Sequence, residues 1–226
     1  MFFDSTYLIY VFIPTILISG AVQLYLKSTF KTWNNVRNSA AATGADIGLR
    51  VFDRTSLEAI PLERSEGKLS DHFDPRANVV RLSDEVAKGS SVAAMAIVAH
   101  ELGHVQQQQS HSPLMAARGF LVPALTVSPM ISYGAIMAGL LLSITGLIWI
   151  GVIAFSVMVV FSILTLPVEI DASRRALVLL DEAGMMQTED DRMGSRKVLT
   201  AAALTYVAAA VTAVIQLVYY VALARD

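Results

Sequence analysis

The feature that most constrains the fold is a stretch of 48 residues, 119–166, without a single charged side chain. It is too long for one helical crossing of about 30 Å of hydrocarbon and long enough for two. The uncharged residues 143–146 near its middle predict the turn between two membrane helices. Two further charge-free spans, 7–26 and 198–224, bring the predicted number of crossings to four.

The composition agrees with a membrane protein whose surroundings include a lipid bilayer. Hydrophobic residues make up 54% of the chain, charged residues 16%, and the mean hydropathy is +0.55, which is too apolar for an ordinary soluble domain. The net charge is only −2, and no basic patch is interleaved with aromatics, so nucleic-acid binding is not expected. The absence of cysteine excludes disulfides and fits a reducing compartment.

The distribution of positive charge predicts how the chain is oriented in the membrane. With four crossings, 16 of the 17 Lys and Arg residues lie on one side and only Arg225 lies on the other. By the positive-inside rule the charged side is cytosolic, and both termini are outside. The first span has only Asp4 before it and Lys27 and Lys31 after it, which favours a retained anchor over a cleaved signal peptide.

A metal-binding pattern lies between the first and second predicted spans. Residues 92–109 predict a helix capped by Ser90 or Ser91, and the helix contains the sequence H-E-L-G-H. His100 and His104 are four residues apart, so they share one helix face and can bind one metal ion. Glu101 lies beside the first histidine, close enough to take a proton from a water molecule at the metal. Catalytic zinc usually has three protein ligands, so a third must come from elsewhere.

The region before this helix predicts a small mixed structure. Residues 28–45 predict a polar helix that ends near Gly44, and residues 47–52 predict a strand. Residues 69–73 and 79–83 predict a hairpin around a proline-containing turn. An extended segment near such a motif can hold a substrate backbone or act only as a scaffold, and both interpretations remain open.

Candidates for the third ligand follow the paired membrane spans, which return the chain to the side that carries the motif. Residues 167–176 predict a helix with Pro167 in its first turn. Glu169 and Asp171 are two residues apart, about 200° around a helix, so they cannot both face one metal ion. Asp171 can alternatively pair with a neighbouring arginine. His111, seven residues beyond the second motif histidine, has polar neighbours and is predicted to be solvent-exposed.

Three motifs in this order resemble the bacterial family of neutral zinc membrane metallopeptidases. They are L-S-D-H-F-D-P at 69–75, H-E-L-G-H at 100–104 and P-V-E-I-D-A-S-R-R-A at 167–176, and the resemblance covers nearly the whole chain. More distantly the chain is similar to membrane-bound heat-shock and CAAX-processing metallopeptidases, which are gluzincins whose third ligand is the Glu of an E-x-x-A-D segment. This resemblance implies one Zn²⁺ per chain, held by His100, His104 and Glu169.

The chain departs from the wider gluzincin pattern at Ser173. An aspartate there would hydrogen-bond a zinc-ligating histidine, whereas a serine hydroxyl offers only a neutral hydrogen bond. Support for the metal ligands is therefore expected to be weaker, or to come from Asp171 or another residue.

The function expected from these residues is hydrolysis of peptide bonds at the cytosolic surface of the bacterial inner membrane. Glu101 is the expected general base, and His72 is the first candidate to stabilise the oxyanion, with Arg174 and Arg175 as alternatives. The expected substrate is a polypeptide or membrane protein, and the expected role is membrane-protein quality control or processing. The alternative function is a catalytically inactive, zinc-dependent peptide-binding or adaptor protein. Neither the exact substrate nor the oligomeric state follows from the sequence.

The predicted fold class is a mainly α membrane protein with four transmembrane helices and a cytosolic zincin-like α+β part, built from the motif helix and a small sheet or hairpin. Residues 185–197, which include three consecutive acidic residues, are predicted to be a solvated loop rather than a lid. The expected segments are an anchor at 1–26, a zincin-like region at 27–112, a membrane hairpin at 113–166, a cytosolic segment with the third ligand at 167–197 and a final membrane helix at 198–226.

Overall fold

The computed structural model describes residues 5–67 and 70–225, most of which are helical. Among these residues, four helices are long and apolar enough to cross a membrane, which confirms the four predicted. The first comprises α1 (Ser5–Tyr7), a π-helical segment (Leu8–Phe12) and α2 (Ile13–Asn34). The other three are α6 (Pro113–Leu142), α7 (Thr145–Glu182) and α8 (Glu189–Leu223).

The predicted break in the long uncharged stretch is confirmed. Helix α6 ends at Leu142 and α7 begins at Thr145, and Ser143 between them adopts a left-handed backbone with φ of 56°. The prediction that Pro167 lies in a first turn is wrong, because α7 continues through it without interruption. A proline removes one backbone hydrogen bond, and the regular helix on both sides of Pro167 tolerates that loss.

The chain divides into two compact units, each with its own core. The helical unit comprises Met1–Gln23, Ala116–Pro167 and Thr205–Asp226, and the mixed unit comprises Leu24–Met115 and Val168–Leu204. In the helical unit, a buried apolar cluster includes Ile136, Phe155 and Tyr220. Large apolar side chains on its outside, such as Phe120 and Leu141, are exposed, as expected where lipid replaces water.

The mixed unit contains a three-stranded sheet within the described residues. It is made of β1 (Leu62–Ser65), β2 (His72–Asp74) and β3 (Val79–Ser83), in the spatial order β1-β3-β2. Strands β2 and β3 pair antiparallel, with Phe73 opposite Val80, which confirms a hairpin here. Its first strand begins at His72, so residues 70 and 71 of the predicted strand 69–73 are not part of it. Leu69, the first residue of that prediction, lies outside the described residues. Strand β1 pairs parallel with β3 and was not predicted.

The predicted strand at 47–52 is wrong, because these residues belong to helix α3 (Gly44–Arg54). Thr43 forms a capping box with Asp46, which satisfies orphan amide groups at the start of the helix. The buried residues Ile47 and Val51 are four apart, so they lie on one helical face, while Leu49 is exposed. The apolar spacing therefore has a helical period, which overrides the strand preference of branched side chains.

The predicted helix at 28–45 is too long, since α2 ends at Asn34 and Gly44 begins the next helix instead of ending this one. Asn38 organises the intervening turn, because its side chain bonds both the amide and the carbonyl of Ala42. A Cβ on Gly44 would lie 2.2 Å from the carbonyl oxygen of Val86. Gly44 is therefore suited to a close approach of two backbones rather than to a helix stop.

The predicted loop at 185–197 is mostly helical, because α8 begins at Glu189. Thr188 and Asp191 satisfy each other's backbone amides, which caps the helix. The acidic residues Glu189, Asp190 and Asp191 occupy its first turn, where negative charge interacts favourably with the helix dipole. The acidic cluster is a helix start.

Candidate metal centre

The motif histidines lie on α5 (Val92–Gln109), the helix at the centre of the mixed unit's core. Ser91 accepts a hydrogen bond from the amide of Ala94 and so caps α5, as predicted. His100 and His104 lie one turn apart, with ring centroids separated by 4.8 Å and ring planes at 82°. Both rings therefore emerge on the same side of a rigid, largely buried helix.

Glu169 on α7 faces both histidines. Its Oε2 atom lies 3.2 Å from Nε2 of His100 and 3.4 Å from Nε2 of His104, and its side chain is 2% exposed. One ligand atom from each of the three residues can be chosen so that all lie within 4.8 Å of one another. Two imidazole nitrogens and a carboxylate oxygen form a known donor set for zinc, and a cation would offset the buried carboxylate charge. The residues fit the metal that the sequence motif implies.

Glu101 lies beside this cluster and is tied to the sheet. Its side chain is buried, and Oε2 accepts a hydrogen bond of 2.9 Å from the backbone amide of Phe73 on β2. The edge strand therefore holds the carboxylate in place without neutralising it. A carboxylate held in this way can accept a proton from a nearby water molecule.

The close approach of α5 and α7 depends on Gly103. A Cβ at this position would lie 2.3 Å from the carbonyl oxygen of Ala172 and 3.0 Å from its carbonyl carbon. Only a residue without a side chain leaves the two backbones this close. Gly103 therefore brings the helix that carries both histidines against the helix that carries Glu169.

Comparison with known proteins identifies the family. Residues 8–225 match the family described as "Putative neutral zinc metallopeptidase". The chain belongs to this zinc metallopeptidase family. It is also 36% identical to "Putative membrane protease YugP" of Bacillus subtilis (strain 168) over 213 residues. The aligned region covers 94% of each of the two proteins. No solved structure matches.

This member of the family has a serine hydroxyl where the wider gluzincin pattern has an aspartate. Ser173 Oγ lies 3.2 Å from Nδ1 of His100, so the expected neutral hydrogen bond is formed. Glu169 and Ser173 are four residues apart on α7, so they lie on one face of that helix. This face therefore carries both the candidate ligand Glu169 and the hydroxyl that contacts His100.

Asp171, the other acidic candidate, contacts Arg175 rather than the histidines. The Nε atom of Arg175 lies 2.6 Å from Oδ2 of Asp171, which confirms the predicted arginine pairing. His111 is exposed and its ring contacts the carbonyl of Gln109, as predicted for a histidine outside the centre.

His72, the candidate for oxyanion stabilisation, lies on β2 next to Phe73 with an exposed ring. Its Nδ1 atom lies 2.8 Å from the carbonyl oxygen of Ser70. The role of His72 stays a prediction.

The electrostatics of the centre favour cations. Burial by itself would lower the pKa of His104, but the hydrogen bond with Glu169 and the negative charges of Glu101 and Glu169 outweigh it. The pKa of His104 is therefore raised above its ordinary value in the metal-free protein. Two carboxylates create a site where positive charge is stabilised, and a divalent cation would meet the same field.

Sequence reasoning missed one residue of the centre, Gln107. It is fully buried, and its side-chain Oε1 atom lies 3.0 Å from Nδ1 of His104. The available signal was its position three residues after His104, on the same face of α5. A glutamine within a run of four glutamines gave no reason to prefer one over another.

Proposed function

We propose that the chain is a zinc metalloendopeptidase that hydrolyses peptide bonds at the cytosolic surface of the inner membrane. The observation that carries this proposal is the convergence of His100, His104 and buried Glu169 beside Glu101. Three candidate ligands leave a position for water or substrate, whereas structural zinc sites are usually closed by four. A group placed to accept a proton has no use in a purely structural site.

The proposed ligands are the Nε2 atoms of the two histidines and a carboxylate oxygen of Glu169. Zinc bound there would supply a Lewis acid that lowers the pKa of water towards about 7 and polarises a carbonyl group. Glu101 accepts the proton of the attacking water and passes it to the leaving amine. His72 is proposed to donate a hydrogen bond to the developing oxyanion, with Arg174 and Arg175 as the alternatives.

Zinc analysis tests the ligand set first. Purified wild-type protein in detergent is expected to carry about one zinc ion per chain after metal reconstitution. Glu169→Ala should lose most of it, while Asp171→Ala should keep a substantial share because Asp171 contacts arginine instead. Absence of zinc from the reconstituted wild type would contradict the proposal, and full retention in Glu169→Ala would move the third ligand to another residue.

Peptide hydrolysis tests the enzymatic role. Glu101→Gln keeps an oxygen that can accept the hydrogen bond from Phe73, so zinc binding should persist while cleavage of a quenched peptide library nearly disappears. Wild-type turnover in this variant would contradict the role of Glu101. Zinc binding by a wild type that cleaves no peptide would favour the adaptor alternative.

The cytosolic location of the site rests on the charge distribution and is directly testable. Since the chain has no cysteine, single cysteines can be introduced without further changes. Glu66→Cys reports on the exposed surface near β1, and Ser143→Cys reports on the turn between α6 and α7. In intact cells a membrane-impermeant maleimide should label only Ser143→Cys. Labelling of Glu66→Cys alone would invert the proposed topology.

A further inference from the structure

Both ends of the buried Gln107 amide have hydrogen-bond partners. Its Oε1 atom lies 3.0 Å from Nδ1 of His104. Its Nε2 atom donates to the carbonyl oxygen of Val168 at 2.8 Å and to Oδ2 of Asp171 at 2.9 Å. The side chain is 0% exposed, so water does not compete for these bonds.

The chemistry of these partners determines which way the amide points. A backbone carbonyl and a carboxylate only accept hydrogen bonds, so the amide NH₂ must face Val168 and Asp171. The amide oxygen must then face His104. Because that oxygen can only accept, Nδ1 of His104 must carry the proton. Reversing the amide would place oxygen against two acceptors, which is unfavourable in a buried site.

The carboxylate of Asp171, which accepts from the Gln107 amide, is itself held in place. Asp171 Oδ2 accepts a 2.6 Å hydrogen bond from Nε of Arg175. The same arginine reaches Gln106 Oε1 at 3.4 Å and Ser110 Oγ at 3.3 Å through Nη1. A continuous chain of polar contacts thus joins Arg175, Asp171, Gln107 and His104. A charged acceptor strengthens the hydrogen bond that orients Gln107.

We infer that Gln107 is a positioning residue that keeps the proton on Nδ1 of His104 and leaves Nε2 for the metal. Asp171 and Arg175 fix the amide in the required orientation. The inference rests on the proposed function only in taking Nε2 as the metal-binding atom. Loss of such supporting hydrogen bonds typically weakens metal binding by 10- to 100-fold.

Zinc affinity gives the first test, measured by competition with a chelator on detergent-purified protein. Gln107→Leu should weaken zinc binding about 10- to 100-fold. The matched control is Gln108→Leu, the same change at the next, exposed position of α5, and it should bind zinc as the wild type does. Unchanged affinity in Gln107→Leu would refute the inference while leaving the three-ligand site intact.

The protonation of Nδ1 gives a second test that does not depend on zinc or activity. The protein has four histidines, so long-range ¹H–¹⁵N spectra of ¹⁵N-histidine-labelled protein are simple to assign by single substitution. The spectra are recorded at a pH high enough for the His104 ring to be neutral, because the cationic ring carries a proton on both nitrogens. Nδ1 of His104 should then carry the proton in the wild type, both metal-free and zinc-loaded. A proton on Nε2 with Nδ1 bare would overturn the inference. Because metal-free protein suffices, this readout remains decisive if zinc fails to bind.

A paired substitution separates positioning from simple packing. Gln107→Glu alone puts two carboxylates together, and Asp171→Asn alone removes the charge, so each should weaken zinc binding. In the double variant an amide at position 171 can donate to the carboxylate at position 107, while the hydrogen bond to the Val168 carbonyl stays lost, so part of the logarithmic loss in affinity should be recovered. Losses that simply add would show that Gln107 and Asp171 act independently of each other, which would contradict the inferred chain of contacts.

Discussion

Replacement of Gly103 by alanine adds a single methyl group between α5 and α7. We expect it to move the two histidines on α5 away from Glu169 on α7. The new Cβ would lie 2.3 Å from the carbonyl oxygen of Ala172, about 1 Å closer than ordinary van der Waals contact allows. The obstructing atoms are backbone, so a side-chain rotation cannot relieve the overlap. Helices α5 and α7 must move apart locally, and Glu169 on α7 moves away from the histidines.

The expected cost follows from two opposing effects. Overpacking costs up to about 3 kcal/mol, and alanine's better helix propensity returns about 1 kcal/mol, so a net loss of about 2 kcal/mol is expected. For a chain of this size this corresponds to a fall in Tm of roughly 4–8 °C. A misplacement near 1 Å can also lower catalysis about 100-fold.

Thermal unfolding in detergent and peptide hydrolysis, run side by side, measure these effects for Gly103→Ala. Gly134→Ala is the matched control, because a Cβ on that α6 glycine meets nothing within 4 Å. The control should keep wild-type activity and at least wild-type Tm. Wild-type Tm together with wild-type activity in Gly103→Ala would refute the argument that this glycine sets the approach of the helices.

The remaining predictions concern supports of the centre and of the mixed unit. Ser173→Ala should weaken zinc binding about 10-fold in a chelator competition, because His100 loses its partner at Nδ1. Ser173→Asp should bind zinc more tightly than Ser173→Ala in the same assay, since a carboxylate accepts a stronger hydrogen bond. Thr43→Ala should cost about 1 kcal/mol of unfolding free energy through loss of the α3 capping box. Arg64→Ala should change it by less than about 0.5 kcal/mol, because its ion pair with Asp84 is exposed.

The parts of the fold that the sequence predicts well are those in which one local pattern determines the outcome. The uncharged stretch 119–166 is too apolar to be stable in water, and in lipid its backbone hydrogen bonds are satisfied only within helices. Two membrane helices therefore follow directly from its length. Helix α5 carries its own N-terminal cap and continues without proline until Gln109. The spacing of His100 and His104 then places both rings together before anything is known of the remaining chain.

The errors occur where tertiary contacts decide between local alternatives. Residues 47–52 combine branched and apolar side chains that suit a strand, but the capping box at Thr43 and burial of Ile47 and Val51 select a helix. Gly44 resembles a helix stop in sequence, yet its lack of a Cβ serves a contact with Val86. Strand β1 was missed because its partner, β3, is a parallel neighbour distant in sequence.

The candidate site also combines residues that a local pattern predicts with residues that only tertiary contacts determine. Glu169 came from the resemblance and not from spacing, since geometry alone left Asp171 open. The position of Gln107 three residues after His104 permits their contact, but the orientation of its amide could not be found from the sequence, because it depends on where α7 lies against α5. Contacts of this kind are specified by packing across 61 residues of chain, and local periodicity carries no information about them.

The two histidines are supported unequally, and the difference lies in what each partner can do. A serine hydroxyl both donates and accepts, so Ser173 does not select one tautomer of His100. The amide of Gln107 donates to Asp171, which orients it, and its oxygen can only accept a hydrogen bond from His104. In the wider gluzincin pattern a carboxylate hydrogen-bonds one zinc-ligating histidine. Here Ser173 stands in that place beside His100, and the carboxylate of Asp171 acts instead on His104, through the amide of Gln107. Of the two candidate ligands, His104 is therefore the one with a preset orientation, and the orientation of His100 is the one expected to differ between metal-free and zinc-loaded protein.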